Sequence, residues 1–160
     1  MGPHLNVCRR VLDSELRAIV AAIDEVLLVD GAPSLLAGLE RLAETRPPRT
    51  RTLDLIGHAA GDDRVLRMGE LVVDARDPEA LATFAAIRDR GLLARLGISA
   101  VRLLGCCTAM TAAGRATMAA LAELLAVPVL GTTQLVHALH FGEDGLKARY
   151  RHLLVDAART

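Results

Sequence analysis

The chain has no tryptophan, one tyrosine and two phenylalanines among its 160 residues. Sites that stack bases or sugars on aromatic platforms therefore have little to build on. An excess of either charge is missing too, since nineteen Lys and Arg face nineteen Asp and Glu. Nucleic-acid binders carry a basic surplus or stripe, so no nucleic-acid partner is expected. The densest basic stretch, Arg46 to Arg51 with Pro47 and Pro48 inside it, reads as a solvated loop.

Long apolar runs are absent, and none approaches the 18 residues or so of a membrane span, so no membrane partner is expected. The opening segment Met1 to Arg10 has no apolar core of the kind a signal peptide needs. Cysteine is scarce: Cys8, Cys106 and Cys107 are odd in number and two are adjacent, a poor disulfide framework. These absences point to a cytoplasmic protein with reduced thiols.

Phosphate loops are missing as well. Gly57, Gly61, Gly69 and Gly105 fall into neither G-x-G-x-x-G nor a P-loop. His137 and His140 stand three apart without a third ligand nearby, and read as surface histidines of a hairpin. Gly142-Glu143-Asp144-Gly145 lacks the spaced carboxylates of a calcium loop and reads as a β-turn. No metal and no organic cofactor is expected.

What the chain does have is aliphatic surface to bury. Hydrophobic residues make up 52% of it, mostly Leu, Ala and Val, and 24% are charged, which excludes disorder and suits one domain over residues 1–160. After an apolar stretch at Leu5–Val7 and a helical pattern to residue 23, strands are expected at Glu25–Asp30, Thr52–His58, Ile98–Cys106 and Val129–Val136. Helices are expected from Pro33 to Pro47, from the N-cap Asp77 to Leu96, and from Thr111 to Ala126. A short hairpin should turn at Gly69 and Glu70, and a second should close over 139–150 before a terminal run at Leu153–Val155. Strands alternating with helices make an α/β fold with a mostly parallel central sheet.

In open α/β sheets, ligands bind beyond the carboxyl ends of the strands. Two reactive side chains fall there, each after a small residue: His58 after Gly57, and Cys106 after Gly105. If their strands are neighbours, imidazole and thiol lie side by side. The imidazole could then take the thiol proton and leave the nucleophilic thiolate. Cys107 would point away from the site and pack in the core.

The segment TLDLIGHAAG…VRLLGCCTAMTAAG resembles the caspase-like cysteine peptidases, nearest to the caspase-like domains of bacteria. His58 and Cys106 are 48 positions apart, close to the roughly 50 of caspases. The likeness covers about residues 50–135, including the hairpin after the His, the helix before the second strand and the following V-P-V strand. It implies a three-layer α/β sandwich and peptide hydrolysis through an acyl-enzyme. His58 would be the base, Cys106 the nucleophile, and the backbone N–H groups of Ala59 and Cys106 the oxyanion donors. The chain departs from the family pattern at Ala59, where Gly is usual; a positive φ there would strain the alanine. No specificity residue is singled out among Asp62, Asp63, Asp74 and Asp156. The substrate implied is a peptide or protein, and edge strands near 139–150 are where a homodimer would pair. The competing reading is a catalytically inactive scaffold or protein-interaction module on the same fold.

Overall fold

The computed structural model describes residues 2–59, 61–63 and 65–157. In chain order the elements are β1 (His4–Arg9), α1 (Ser14–Ala21), β2 (Val26–Val29), α2 (Ala32–Thr45), β3 (Arg51–Ile56), β4 (His58–Ala59), β5 (Leu66–Met68) and β6 (Leu71–Val73). There follow α3 (Pro78–Asp89), α4 (Leu92–Leu96), β7 (Ile98–Leu104), α5 (Ala112–Leu125), β8 (Val129–Thr132), β9 (Phe141–Gly142), β10 (Gly145–Leu146) and β11 (Leu154–Asp156). Short 3-10 turns at Ala138–His140 and Ala148–Leu153 flank the β9–β10 hairpin.

Six strands form the main sheet in the order β2-β1-β3-β7-β8-β11. The first five run parallel, and β11 is antiparallel to β8 at the edge. Alternation along the strands sorts the side chains between two faces. Leu5, Val7, Leu53, Leu55, Val101, Leu103 and Val129 share one buried face with Leu35 and Leu39 of α2, Phe84 and Ile87 of α3, and Met118 and Leu121 of α5. On the other, Cys8, Ile56 and Leu104 pack beneath Leu16 and Ile19 of α1 and against Val136, Phe141 and Leu146. The fold is thus α/β with helices on both faces of a mixed, mostly parallel sheet. Fully burying each Leu or Ile of these layers is worth about 1.5–3 kcal/mol before entropy is counted.

Several elements differ from their sequence-level outline. The helix expected to reach Leu96 ends at Asp89, because Gly91 takes a left-handed conformation (φ 63°) and a second short helix, α4, starts after it. That break turns Leu92, Leu93 and Leu96 into the core. The expected strand Val129–Val136 stops at Thr132, and the terminal run becomes the antiparallel edge strand β11. The closing hairpin shrinks to two residues per strand. Arg51 is not a solvated loop residue: it opens β3 and is only 4% exposed. No helix among the described residues is long and apolar enough to cross a membrane.

Candidate active site

The central strands β3 and β7 pair in parallel up to Ile56 and Leu104, and the Gly57 N–H extends the ladder to Leu104 O at 3.4 Å. Beyond that point the two chains part. His58 and Ala59 leave the main sheet as β4, paired antiparallel with β5 through His58–Arg67 and Ala59–Leu66. Hydrogen bonding β6 to β5 completes a three-stranded flap. Gly105 to Ala109 instead form a turn leading into α5.

Space, not backbone dihedral, demands glycine at both strand ends. A Cβ on Gly57 would lie 2.3 Å from Arg67 O, and one on Gly105 would lie 2.7 Å from Leu66 Cδ1 and 3.2 Å from Ala59 N. Ala59 is buried in its short strand, and it is not among the described non-glycine residues with positive φ, which are Cys107 and Ala126. Alanine in the usual glycine place therefore carries no left-handed strain.

Two buried threonines fasten the Cys106 turn. Thr108 Oγ1 donates to Leu103 O at 2.9 Å and accepts from the Thr132 N–H at 2.8 Å, while Thr132 Oγ1 donates to Gly105 O. Behind the turn, Thr111 caps α5 by accepting from the Gly114 N–H at 3.0 Å. Cys107 is not a core residue, because β7 ends three positions earlier and its alternation goes no further. The residue is half-buried with φ 59°, and its N–H donates to Gln134 O at 3.1 Å.

His58 and Cys106 line one narrow crevice of about 10 Å³, room for a single water, with Gly57, Gly105, Glu15, Leu16 and Val136 among its walls. That is below the size of an ordinary small-ligand pocket. Cys106 Sγ accepts from the Val136 N–H at 3.5 Å and donates to Val136 O at 3.8 Å. The thiol is held by the loop after β8, and no hydrogen bond joins it to the imidazole. Cys8 is fully buried, and desolvation pushes its thiol up to about 11.

The imidazole has a partner that the sequence did not announce. His58 Nε2 lies 2.5 Å from Oδ2 of Asp13, the N-cap of α1. Oδ1 of the same carboxylate accepts the N–H groups of Glu15 at 3.1 Å and Leu16 at 3.0 Å, and Oδ2 also takes Arg9 Nη2 at 2.9 Å. The Leu16 amide first, then the His58 hydrogen bond, hold the Asp13 carboxyl down to about 2. An aspartate just before a helical pattern is a cap by local chemistry, but nothing local marks its meeting with a histidine 45 positions later.

The other candidates stand apart from the crevice. Arg76 forks onto Asp63 at 2.7 Å and Asp74 at 2.6 Å, and holds both carboxyls below the usual range. Asp62 is exposed and Asp156 lies on the edge strand β11. His137 Nδ1 bonds Glu15 Oε1 at 2.9 Å, and His140 Nδ1 accepts the His137 N–H while its ring meets Tyr150 edge-on at 4.6 Å. Among the described residues no three His, Cys, Asp or Glu side chains group as metal ligands would. The chain matches no protein-family model, no curated protein and no solved structure.

Proposed function

We propose that the protein is a caspase-like cysteine peptidase working through Cys106 and His58. One observation carries the reading: the ends of two adjacent parallel strands deliver an imidazole and a thiol to a single crevice. Cys106 thiolate would attack the peptide carbonyl carbon and form the C–S bond. His58 would give the thiol's proton to the leaving amine as the C–N bond breaks. Water then hydrolyses the thioester, releasing the new carboxylate and restoring the thiol. The amides of Ala59 and Cys106 are the candidate donors to the oxyanion.

A peptide as substrate is supported by exposed apolar side chains at the carboxyl end of the sheet. The exposed large hydrophobics among the described residues are Val11, Met110, Leu135 and Leu139, each 51–75% exposed. All four sit on segments that follow the carboxyl ends of β1, β7 and β8, where they suit apolar side chains of an extended peptide.

A catalytically inactive scaffold on the same fold is the second reading. It is favoured by the narrowness of the crevice and by the engagement of Cys106 with Val136. The deciding experiment pairs a fluorogenic peptide library with iodoacetamide labelling read residue by residue. A peptidase cleaves part of the library, loses cleavage in Cys106→Ala and His58→Ala, and alkylates Cys106 well ahead of Cys107. Equal, slow labelling of those two thiols with no cleavage makes the protein a scaffold.

A further inference from the structure

We infer that Asp13 is the positioning residue of the Cys106–His58 pair: its carboxylate fixes the imidazole as the Nε2–H tautomer and leaves Nδ1 as the proton acceptor. For the neutral ring the tautomer follows from hydrogen-bond chemistry, whereas the use made of Nδ1 rests on the peptidase reading above.

The two oxygens of Asp13 divide their work. Oδ1 is committed to the first turn of α1 through the Glu15 and Leu16 amides. That capping holds the side-chain torsions, so Oδ2 is presented to the ring without the loss of freedom that weakens a surface pair. Oδ2 then meets His58 Nε2 at 2.5 Å and Arg9 Nη2 at 2.9 Å. Its hydrogen bonds keep this carboxyl ionised throughout the neutral range. An ionised carboxylate only accepts, so the proton of the short contact belongs to Nε2. A neutral imidazole has a single N–H, and Nδ1 is therefore the bare nitrogen.

The other charged groups nearby do not compete for the ring. Arg9 is a donor already placed on Asp13, Glu15 is turned to His137, and Arg67 stands opposite His58 in the β4–β5 ladder. Among the described residues no second carboxylate bonds the imidazole. The pair becomes a chain of three, Asp13–His58–Cys106, in which the helix cap sets the ring for the thiol. An aspartate behind a catalytic histidine works this way on unrelated folds, and its amide replacement inverts the tautomer while keeping the geometry.

Asp13→Asn is the corresponding test here. Asparagine caps a helix as well as aspartate does, so its carbonyl stays on the Glu15 and Leu16 amides and its NH2 group faces Nε2. Nε2 must then accept, and the ring proton moves to Nδ1. In protein labelled with 15N-histidine, the His58 ring shifts should report Nε2–H in the wild type and Nδ1–H in Asp13→Asn. The melting temperature should stay nearly unchanged, and Cys106 alkylation should fall about 100-fold or more. Asp13→Ser, which keeps a cap but removes the carboxylate, should show both tautomers and an intermediate loss. An unaltered tautomer in Asp13→Asn overturns the inference about Asp13 alone. A swapped tautomer with undiminished Cys106 reactivity overturns the Cys106–His58 reading, and with it any part for Asp13 in catalysis.

Discussion

Arg102 and Asp54 close on each other in the middle of the sheet, 4% and 0% exposed, on adjacent strands and in direct register. Arg102 Nε reaches Asp54 Oδ1 at 2.6 Å and a guanidinium NH2 takes the second oxygen. Thr52 Oγ1 donates to the same Oδ1 at 2.6 Å, and His4 Nδ1 stands 2.8 Å behind Thr52. Because the one Thr52 proton goes to Asp54, its oxygen accepts from His4 Nδ1–H. With buried Asn6 opposite Asp54 on β1, a polar row crosses the face that carries α1.

Breaking that pair from one side should be costly, because it strands a buried guanidinium. Asp54→Ala should lower the unfolding free energy by about 3–5 kcal/mol, whereas Asp54→Leu combined with Arg102→Met should be near neutral. Urea titrations of the three proteins decide it. A loss below about 1 kcal/mol in Asp54→Ala would show that the pair is solvated in solution.

His4 supplies a pH dependence of definite sign. Desolvation lowers its pKa below the ordinary 6.5. The unfolded chain therefore binds this proton first as pH falls, and stability drops below about pH 6.5 toward the folded value. Above that window the contribution is complete. His140 is lowered by burial too, so the comparison must be with a variant: His4→Gln should flatten part of the slope between pH 7.5 and 5. An identical slope in both proteins removes His4 from the account.

The thiols should separate by environment before any catalysis is considered. With Cys8 raised to about 11 and fully buried, its thiolate fraction near pH 7.5 is about 100-fold below that of an ordinary cysteine. Modification by a disulfide reagent should stop at two thiols in the native protein and reach three only in denaturant. Rapid native reaction of Cys8 would mean that the α1 layer opens readily.

Gly114 tests how closely α5 is drawn to the Cys106 turn. Helix propensity alone would make Gly114→Ala stabilising by about 1 kcal/mol. A Cβ there would lie 1.9 Å from Thr108 O, a backbone atom of that turn. The collision should win, giving a net loss of about 1–3 kcal/mol and a shift of the Thr108 amide resonance. A gain in melting temperature would mean that the helix end has room to move.

Much of this architecture could be read from residue order, for physical reasons that differ by element. Asp77-Pro78 and Thr111 mark their helix starts because capping is local chemistry, and the Asp77 side chain does accept the Glu79 N–H at 2.9 Å. The hairpin at Gly69 and Glu70 followed from its flanking apolar runs, and Gly69 has the positive φ such a turn needs (69°). The placement of His58 and Cys106 beyond neighbouring strands came from the aliphatic runs that precede them. The break at Gly91 was hidden because the leucines after it continue a helical apolar spacing across a backbone that reverses. Asp54 and Arg102 interrupt their aliphatic strands in the sequence, and only pairing shows that each answers the other. Asp13 was not singled out as the partner of His58, because long-range pairing leaves no mark on local pattern.

Gly57 and Gly105 join His58 and Cys106 to β3 and β7, the two strands at the centre of the sheet, with β1 and β2 outside one and β8 and β11 outside the other. Amide hydrogens of such strands exchange with solvent only when the whole structure opens, whereas edge strands fray first. Deuterium should therefore enter β2 and β11 long before Leu53–Ile56 or Val101–Leu104. The strand ends from which the two side chains depart then share the lifetime of the native state itself: local fraying at either border leaves those ends in register, and only cooperative unfolding separates them.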